Sequence, residues 1–201
     1  MKVATVSMRL VWATLCAVAL TLLQGCAHPI SLNPDLAVVK AGSVAKIDRK
    51  VGFYIGDEDR KREVTTPGGG GDKVSYFPYR DMEAGLYVAL SESFATVTRV
   101  NGPADPRVKA EGLNYVISPV IKTQSSSPSP LTWPPTVFTV ELTCRVTDAD
   151  GKPVSEVKAT GTGNAEFSEF KGNHSLSAKR AVEDALSKLK VAFTASQLAA
   201  R

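Results

Sequence analysis

The stretch from Val157 to Phe167 constrains the fold of this chain more than any other. Its polar residues alternate with small or apolar ones, which is the period of two expected of a β-strand with one buried face. The apolar set is Val157, Ala159, Gly161, Gly163, Ala165 and Phe167. Because glycine weakens a strand, its repeated use on the buried face predicts that a helix backbone packs closely against this strand.

The helix predicted to cover this strand is the last one in the chain. Ser175 or Ser177 can cap its start, and its apolar stripe consists of Ala178, Val182, Ala185, Leu186, Leu189 and Phe193. A second amphipathic helix is predicted from Tyr79 to Phe94, with a stripe of Met82, Leu86, Ala89, Leu90 and Phe94. Both stripes have the helical period of about 3.6 residues, which is typical of helices that pack on a core.

Alternating patterns predict further strands over Val51–Ile55, Thr96–Val100, Asn114–Gln124 and Phe138–Val146. Pro119 cannot donate a hydrogen bond to a neighbouring strand and therefore indicates an edge or a bulge. Asp148–Gly151 predicts a hairpin turn. The order of elements favours the α+β class: a two-layer sandwich with a mostly antiparallel sheet of four to five strands and two helices on one face.

The segment Gly56–Ser75 is charged and then glycine-rich, and it lies between a predicted strand and a predicted helix. Phosphate-binding loops occupy such positions. The required spacing is missing, because Asp72 precedes Lys73 and no Gly-Lys pair is followed by Ser or Thr. Since consecutive glycines lose the most conformational entropy when they become ordered, we expect a mobile loop here.

Residues 1–25 have the pattern of a signal peptide. Lys2 and Arg9 precede an uncharged apolar run from Leu10 to Leu23, which matches a charged region followed by a hydrophobic one. A membrane-spanning helix needs about 20 apolar residues, so this run is too short for a permanent span. We therefore expect export and removal of this leader.

The sequence Leu23-Gln24-Gly25-Cys26 resembles the lipobox of bacterial lipoproteins, with Gln24 where alanine or serine is commoner. The resemblance implies that Cys26 becomes the first residue of the mature protein and carries a diacylglyceryl group and an acylated amine. Two or three acyl chains hold a protein to a membrane stably, whereas one is marginal. Ala27, where aspartate would favour the inner membrane, implies sorting to the outer membrane. The alternative is ordinary secretion with Cys26 in a disulfide.

The mature chain is predicted to consist of a lipidated cysteine with a tether, residues 26–44, and a single α+β domain, residues 45–198. His28–Val44 has no helical stripe and contains Pro29 and Pro34, and Leu36–Val39 is a candidate edge strand. Removing the two basic residues of the leader lowers the net charge from +4. Such a charge gives no indication of a nucleic-acid partner.

The lipobox, the order of elements and the ending GTGNAEF…SAKRAVEDALSKLKVAF resemble small Gram-negative outer-membrane lipoproteins of the uncharacterised YajG type. They are more distantly similar to the curli-secretion and lipopolysaccharide-assembly lipoproteins. The resemblance implies a non-enzymatic envelope protein that faces the periplasm. A pore would need extra hairpins with strands of about 9–11 alternating residues. Gly56–Ser75 and Gln124–Pro135 lack that pattern, so we do not expect a channel.

Patterns for catalysis or metal binding are missing from the sequence. Cys144 belongs to the apolar set of Phe138–Val146 and is expected to be a buried thiol, not a nucleophile. It has no cysteine to pair with once the leader is removed and Cys26 is lipidated. No motif places His28 or His174 near a nucleophile, and no cysteine and histidine set has zinc spacing. We expect no enzyme, no bound metal and no cofactor.

The candidate contact surface is the loop Gln124–Pro135, which is rich in proline and serine and longer than a hairpin needs. It carries Leu131 and Trp133 as candidate contacts for a partner protein; the alternative is that Trp133 folds back over a sheet edge. We expect a lipid-anchored outer-membrane protein facing the periplasm, with an accessory role in envelope assembly, transport or maintenance and an envelope protein as partner. The alternatives are a lipid-anchored enzyme of unknown class and a secreted binding domain.

Overall fold

The structure is a computed structural model that describes residues 27–42, 44–128 and 131–200. The strands are β1 (His28–Pro29), β2 (Ile47–Phe53), β3 (Val64–Pro67), β4 (Lys73–Tyr76), β5 (Phe94–Arg99), β6 (Tyr115–Ser126), β7 (Val137–Asp148) and β8 (Pro153–Asn164). The helices are α1 (Leu36–Lys40), α2 (Asp57–Lys61), α3 (Pro78–Ser93), α4 (Pro106–Ala110), α5 (Leu176–Thr194) and α6 (Gln197–Ala200), with a 3₁₀ helix at Phe167–Gly172. The predicted α+β class is confirmed.

The main sheet has five strands in the order β5-β2-β6-β7-β8. Its larger part is the antiparallel meander β6-β7-β8, in which Tyr115–Ser126 pairs with Val137–Asp148 without interruption. The strand β2 runs parallel to both of its neighbours, β5 and β6. This parallel part was not predicted, because alternation within one strand indicates which face is buried and not the direction of the neighbouring strand.

The helix α5 covers β7 and β8 and also packs against α3. A Cβ atom on Gly161 would overlap the backbone of Ala181 and Ala185, and one on Gly163 would overlap the backbone of Ser177 and Ala181. The predicted close approach of a helix to the small face of this strand is therefore confirmed. Both predicted apolar stripes are buried, with every stripe residue at most 1% exposed.

Two details at the ends of these elements differ from the predictions. Phe167 lies beyond the end of β8 and is 68% exposed, because the chain turns into the 3₁₀ helix after Ala165. Ser175 occupies the N-cap position of α5, but its hydroxyl accepts a hydrogen bond from the backbone N–H of Ser31 instead of capping the helix. The hydroxyl of Ser177 donates to the carbonyl oxygen of Pro135.

Pro119 lies where its missing N–H leaves no strand without a donor, and the predicted hairpin turn is present. β2 pairs with β6 only as far as Ile117, so beyond that residue one side of β6 has no neighbouring strand. The N–H of Ile121 donates to the hydroxyl of Tyr79 instead of to a strand, and the absent N–H of Pro119, two residues earlier, belongs to the same side of the strand. Gly151 closes the turn before β8 with a φ of 80°.

The segment predicted as a mobile loop, Gly56–Ser75, is ordered. It contains α2, β3 and most of β4, and the second sheet has the order β1-β4-β3. The four-glycine run forms the turn between β3 and β4: Gly70 and Gly71 have positive φ angles, and Gly69 donates to the carbonyl oxygen of Trp133. A Cβ atom on Gly69 would overlap the carbonyl of Thr132, so glycine allows two loops to meet there.

The predicted tether is also wrong for residues 28–42, which are docked on the domain. Leu32 and Val39 are at most 1% exposed, and the N–H of Leu32 donates to the buried carboxylate of Asp81. The candidate edge strand at Leu36–Val39 is part of the helix α1, which begins where the Asp35 carboxylate accepts from the N–H of Ala37.

Cys26 and the leader lie outside the described residues. In the part of the chain that the structure describes, no helix combines the length and apolar composition that a membrane span requires.

Candidate functional site

The side chain of Trp133 contacts both histidines of the chain. The ring centroids of His28 and Trp133 are 4.3 Å apart with an interplanar angle of 28°, which is a stacked arrangement. The ring of His174 lies 4.9 Å from the Trp133 ring at 49°. Aromatic contacts at these distances favour a fixed ring geometry. We call the three side chains together the aromatic cluster.

Three parts of the chain that are distant in sequence hold this cluster. His28 is in β1, which pairs with Val74 and Ser75 of β4. His174 precedes α5, where the Asn173 side chain accepts from the N–H of Ser175. The Trp133 backbone is held by the hydrogen bond from Gly69, 2.8 Å long. The cluster therefore joins the N-terminal segment, the long loop and the last helix at one end of the domain.

A network of hydroxyl groups connects the two sheets. The hydroxyl of Tyr76 donates to Thr123 at 2.7 Å, and the hydroxyls of Thr66 and Ser125 are 2.6 Å apart. Burial raises the pKa of Tyr76 above its ordinary value of 10.0, and the hydrogen bonds that its hydroxyl shares with Thr123 and Thr66 oppose that shift. The phenol is thus held neutral, and the network fixes β3 and β4 onto β6.

A solvated charged group lies beside the cluster. The carboxylate of Asp72 lies 3.8 Å from Nε2 of His28, with both side chains about half exposed. A cavity of about 530 Å³ opens beside this pair, between β3, the glycine turn and Ser127. Its polar lining includes Thr65, Thr66 and Lys73. Such a set can donate hydrogen bonds to a small polar molecule.

Two large apolar side chains project into solvent at the same end. Leu131 is 92% exposed and lies two residues before Trp133. Phe167 is 68% exposed, just after the hydrogen bond from Ala165 to Thr136 that ties the end of β8 to the start of β7. We call Leu131, Phe167 and the aromatic cluster the anchor-end surface, after the lipid anchor predicted on Cys26, two residues before His28 in the sequence.

The structure distinguishes between the two alternatives for Trp133, an exposed contact or a ring folded back over the domain. Trp133 folds back over the domain and is half-buried against the core, whereas Leu131 projects outward. Any contact of these residues with a partner protein stays a prediction. The pairing of His28 and His174 with Trp133 was missed, since no spacing rule links single histidines so far apart in sequence.

The thiol of Cys144 is 1% exposed, and burial raises its pKa to about 12. A cysteine in this environment is protonated at neutral pH and is a poor nucleophile. Among residues 27–42, 44–128 and 131–200, no three side chains of histidine, cysteine, aspartate or glutamate are grouped as metal ligands.

No family model and no curated protein sequence matches the chain. Solved structures resemble it distantly. A protein of Xanthomonas campestris with the family description DUF330 is 15% identical, with a TM-score of 0.40 over 82% of this chain and 87% of that one. A dodecamer of a PelC variant from Paraburkholderia phytofirmans is 17% identical, with a TM-score of 0.40 over 74% and 93%.

A third structure is a protein of Caulobacter crescentus proposed to be a lipoprotein, which is 12% identical with a TM-score of 0.35 over 80% of this chain and 92% of that one. These similarities assign the chain to no family.

Proposed function

We propose that this chain is a lipoprotein anchored through Cys26 to the outer membrane, with its domain facing the periplasm and a non-enzymatic, accessory role in the cell envelope. The observation that carries the proposal is the continuity between the lipobox cysteine and a docked segment. The described chain begins at Ala27, and from His28 onward it is bound to the domain.

Several hydrogen bonds fix this segment to the domain. The N–H of Ile30 donates to Ser75 at 2.9 Å, and the N–H of Ser31 donates to the Ser175 hydroxyl at 3.0 Å. Further along, the N–H of Asp35 donates to the carboxylate of Glu183 at 2.9 Å. A lipid on Cys26 would therefore be attached to a rigid part of the molecule, not to a flexible linker.

The distance between lipid and domain follows from chain geometry. Two residues of fully extended chain span at most about 7 Å, so a lipid on Cys26 would be attached close to His28. Two or three acyl chains at about 0.8 kcal/mol per buried methylene hold such an anchor stably. The domain would rest at the membrane surface.

The non-enzymatic role rests on the sequence resemblance and on the state of the cysteine. Cys144 is the free cysteine in the described part of the chain, and its burial and raised pKa oppose a nucleophilic role. The ring of Trp133 contacts those of His28 and His174, so these side chains are engaged in packing. The buried thiol favours a binding role over nucleophilic chemistry at Cys144.

Metabolic labelling with palmitate tests the anchor. The parent chain should incorporate label and sediment with outer membranes in a density gradient. Cys26→Ser should lose the label and keep its leader, whereas Cys144→Ala should be labelled like the parent. An unlabelled parent that is released into the soluble fraction would overturn the anchor and support the secreted binding domain.

A separate experiment tests the accessory role. Crosslinking in intact cells should join the lipidated protein to an envelope protein, and the Cys26→Ser variant should lose that product. Turnover of a hydrolase substrate by the purified parent, abolished in a variant of the responsible residue, would contradict the non-enzymatic role.

A further inference from the structure

We propose that the anchor-end surface lies against the bilayer, with Leu131 and Phe167 in contact with the lipid interface. This inference rests on the proposed function, because it takes the position of the bilayer from the lipid on Cys26. It goes further by assigning which face of the domain meets the membrane and which side chains touch it.

The first step is the common location of the anchor and the exposed apolar residues. His28, two residues after Cys26, stacks on Trp133 at 4.3 Å, and Leu131 is two residues from Trp133. His174 also contacts the ring of Trp133. A short anchor thus brings this end of the domain within reach of the headgroups.

Phe167 belongs to the same end through the main sheet. Ser126 pairs with Val137, and Val137 pairs with Asn164. The end of β6, the start of β7 and the end of β8 therefore lie side by side. The backbone of Ala165 then bonds to Thr136, which places Phe167 next to the loop that carries Leu131.

The opposite end of the sheet has a different character. β6 and β7 have 12 residues each, which separates their two ends by roughly 40 Å at about 3.3 Å per residue. The far end carries charged side chains, including the pair of Lys109 and Asp150, 3.1 Å apart. The near end carries Leu131 and Phe167, the two most exposed large apolar side chains of the described residues, beside the ion pair of Glu169 and Arg180. Apolar side chains of this kind can enter a lipid interface while neighbouring charged groups stay among the headgroups.

The chemistry of the near end fits a lipid interface. Transfer of leucine and phenylalanine side chains from water to the boundary between headgroups and acyl chains lowers the free energy. Tryptophan is favoured at this depth because its ring is apolar and carries one polar N–H group. Because residues 28–42 are docked on the domain, the anchor-end surface stays next to the start of the mature chain, where the lipid is attached.

The test places a fluorescent label at one position at a time in the full, lipidated chain. Leu131→Cys, Phe167→Cys and the control Lys152→Cys at the far end are labelled with an environment-sensitive dye. Cys26 is blocked by its lipid and Cys144 is buried, so the introduced thiol is the reactive one. Each protein is reconstituted into phosphatidylethanolamine and phosphatidylglycerol vesicles with or without a lipid that carries a quencher.

The labels at positions 131 and 167 should lose most of their fluorescence to the lipid quencher, and the label at position 152 should not. Equal, weak quenching at all three positions in protein that sediments with the vesicles would overturn the inference and leave the lipid anchor standing. Failure of the parent to sediment would instead refute the proposed function. A shifted emission without lipid quenching at 131 and 167 would show that a second copy of the chain covers this surface, which also contradicts the proposal.

A measurement without labels provides a second readout. The chain has two tryptophans, and one of them, Trp12, leaves with the leader. Emission of the mature protein therefore reports on Trp133. Brominated lipids should quench this emission in the lipidated protein, and quenching that is no stronger than in the leaderless, unlipidated chain of residues 27–201, whose one tryptophan is also Trp133, would count against membrane contact.

Discussion

The ammonium group of Lys190 donates a 2.7 Å hydrogen bond to the carbonyl oxygen of Val39, across 151 residues of chain. It donates to two further carbonyls, those of Ala41 and Gly42, at 2.7 and 3.1 Å. All three protons of a side chain that is 2% exposed are therefore used. One lysine of α5 thus binds the carbonyl groups at the end of α1.

Replacing this lysine should release the N-terminal segment. Lys190→Met keeps the aliphatic length but leaves three carbonyl groups without their donor, and we expect a loss of about 2–3 kcal/mol in the free energy of unfolding. Hydrogen exchange should accelerate at the amides of residues 30–41, and urea denaturation should give the loss of stability.

The matched control is Lys188→Met, two residues earlier. Lys188 is half-exposed and pairs with Asp184 at 2.7 Å on the surface of the same helix, so its removal should cost at most about 0.5 kcal/mol. Equal losses in the two variants would show that the bonds from Lys190 to α1 do not contribute specifically.

The close packing of β8 and α5 predicts a difference between two identical substitutions. Gly163→Ala introduces a methyl group into the backbone of α5 and should lower the free energy of unfolding by about 1–3 kcal/mol. Gly172→Ala adds the same methyl group where nothing lies within 4 Å and should be neutral or slightly stabilising. Thermal unfolding measures both, and an unchanged melting temperature for Gly163→Ala would contradict the packing described above.

The aromatic cluster predicts different outcomes for the two candidate contact residues. Trp133→Ala removes ring contacts with His28 and His174 together with packing on the core, and it should lower stability by about 1–3 kcal/mol. Leu131→Ala should change stability by less than about 0.5 kcal/mol, since the side chain is 92% exposed. Chemical denaturation compares them; a stable Trp133→Ala protein would mean that the ring contacts do not support the fold.

The buried thiol predicts a loss of stability at high pH. The pKa of Cys144 is raised from its ordinary value of 9.0 to about 12 by burial. Below pH 9 the thiol is neutral in both states and has no effect; between pH 9 and 12 the unfolded chain loses this proton and the native protein does not, so stability falls as pH rises. The free energy of unfolding should fall by up to about 1.4 kcal/mol per pH unit over this range.

The Cys144→Ala variant should lack this part of the slope, while every other group titrates alike in both proteins. Native parent protein should also react slowly with thiol reagents at pH 8 and rapidly after unfolding. If the two proteins lose stability in parallel over the alkaline range, Cys144 does not titrate as its burial requires.

The main elements of the fold could be predicted because they depend on local periodicity. The stripe of α3, the stripe of α5 and the alternation in β7 are all visible along the chain, and all three are buried as expected. The small residues on the buried face of β8 also predicted that α5 packs against it, because the space left by Gly161 and Gly163 has to be filled by a backbone.

The errors concern segments whose order depends on distant contacts. The run of glycines was expected to be mobile, yet Gly69 bonds to Trp133, a partner that cannot be inferred from spacing. The N-terminal segment was expected to be a tether because no periodic stripe spans it. Its apolar residues Ile30, Leu32 and Val39 are buried by packing against the rest of the domain. The cap at Asp35 was a local indication of α1 that could have been recognised.

The bonds from α5 to the beginning of the chain also affect how the domain is completed. Ser175, Glu183 and Lys190 all hold residues between Ser31 and Gly42. A polypeptide exported amino end first would have to wait for its final helix before its leading segment finds these partners. In a chain that emerges amino end first, Leu32 and Val39 stay exposed until α5 has folded, so the time taken to complete the chain sets how long each new molecule is vulnerable to proteolysis.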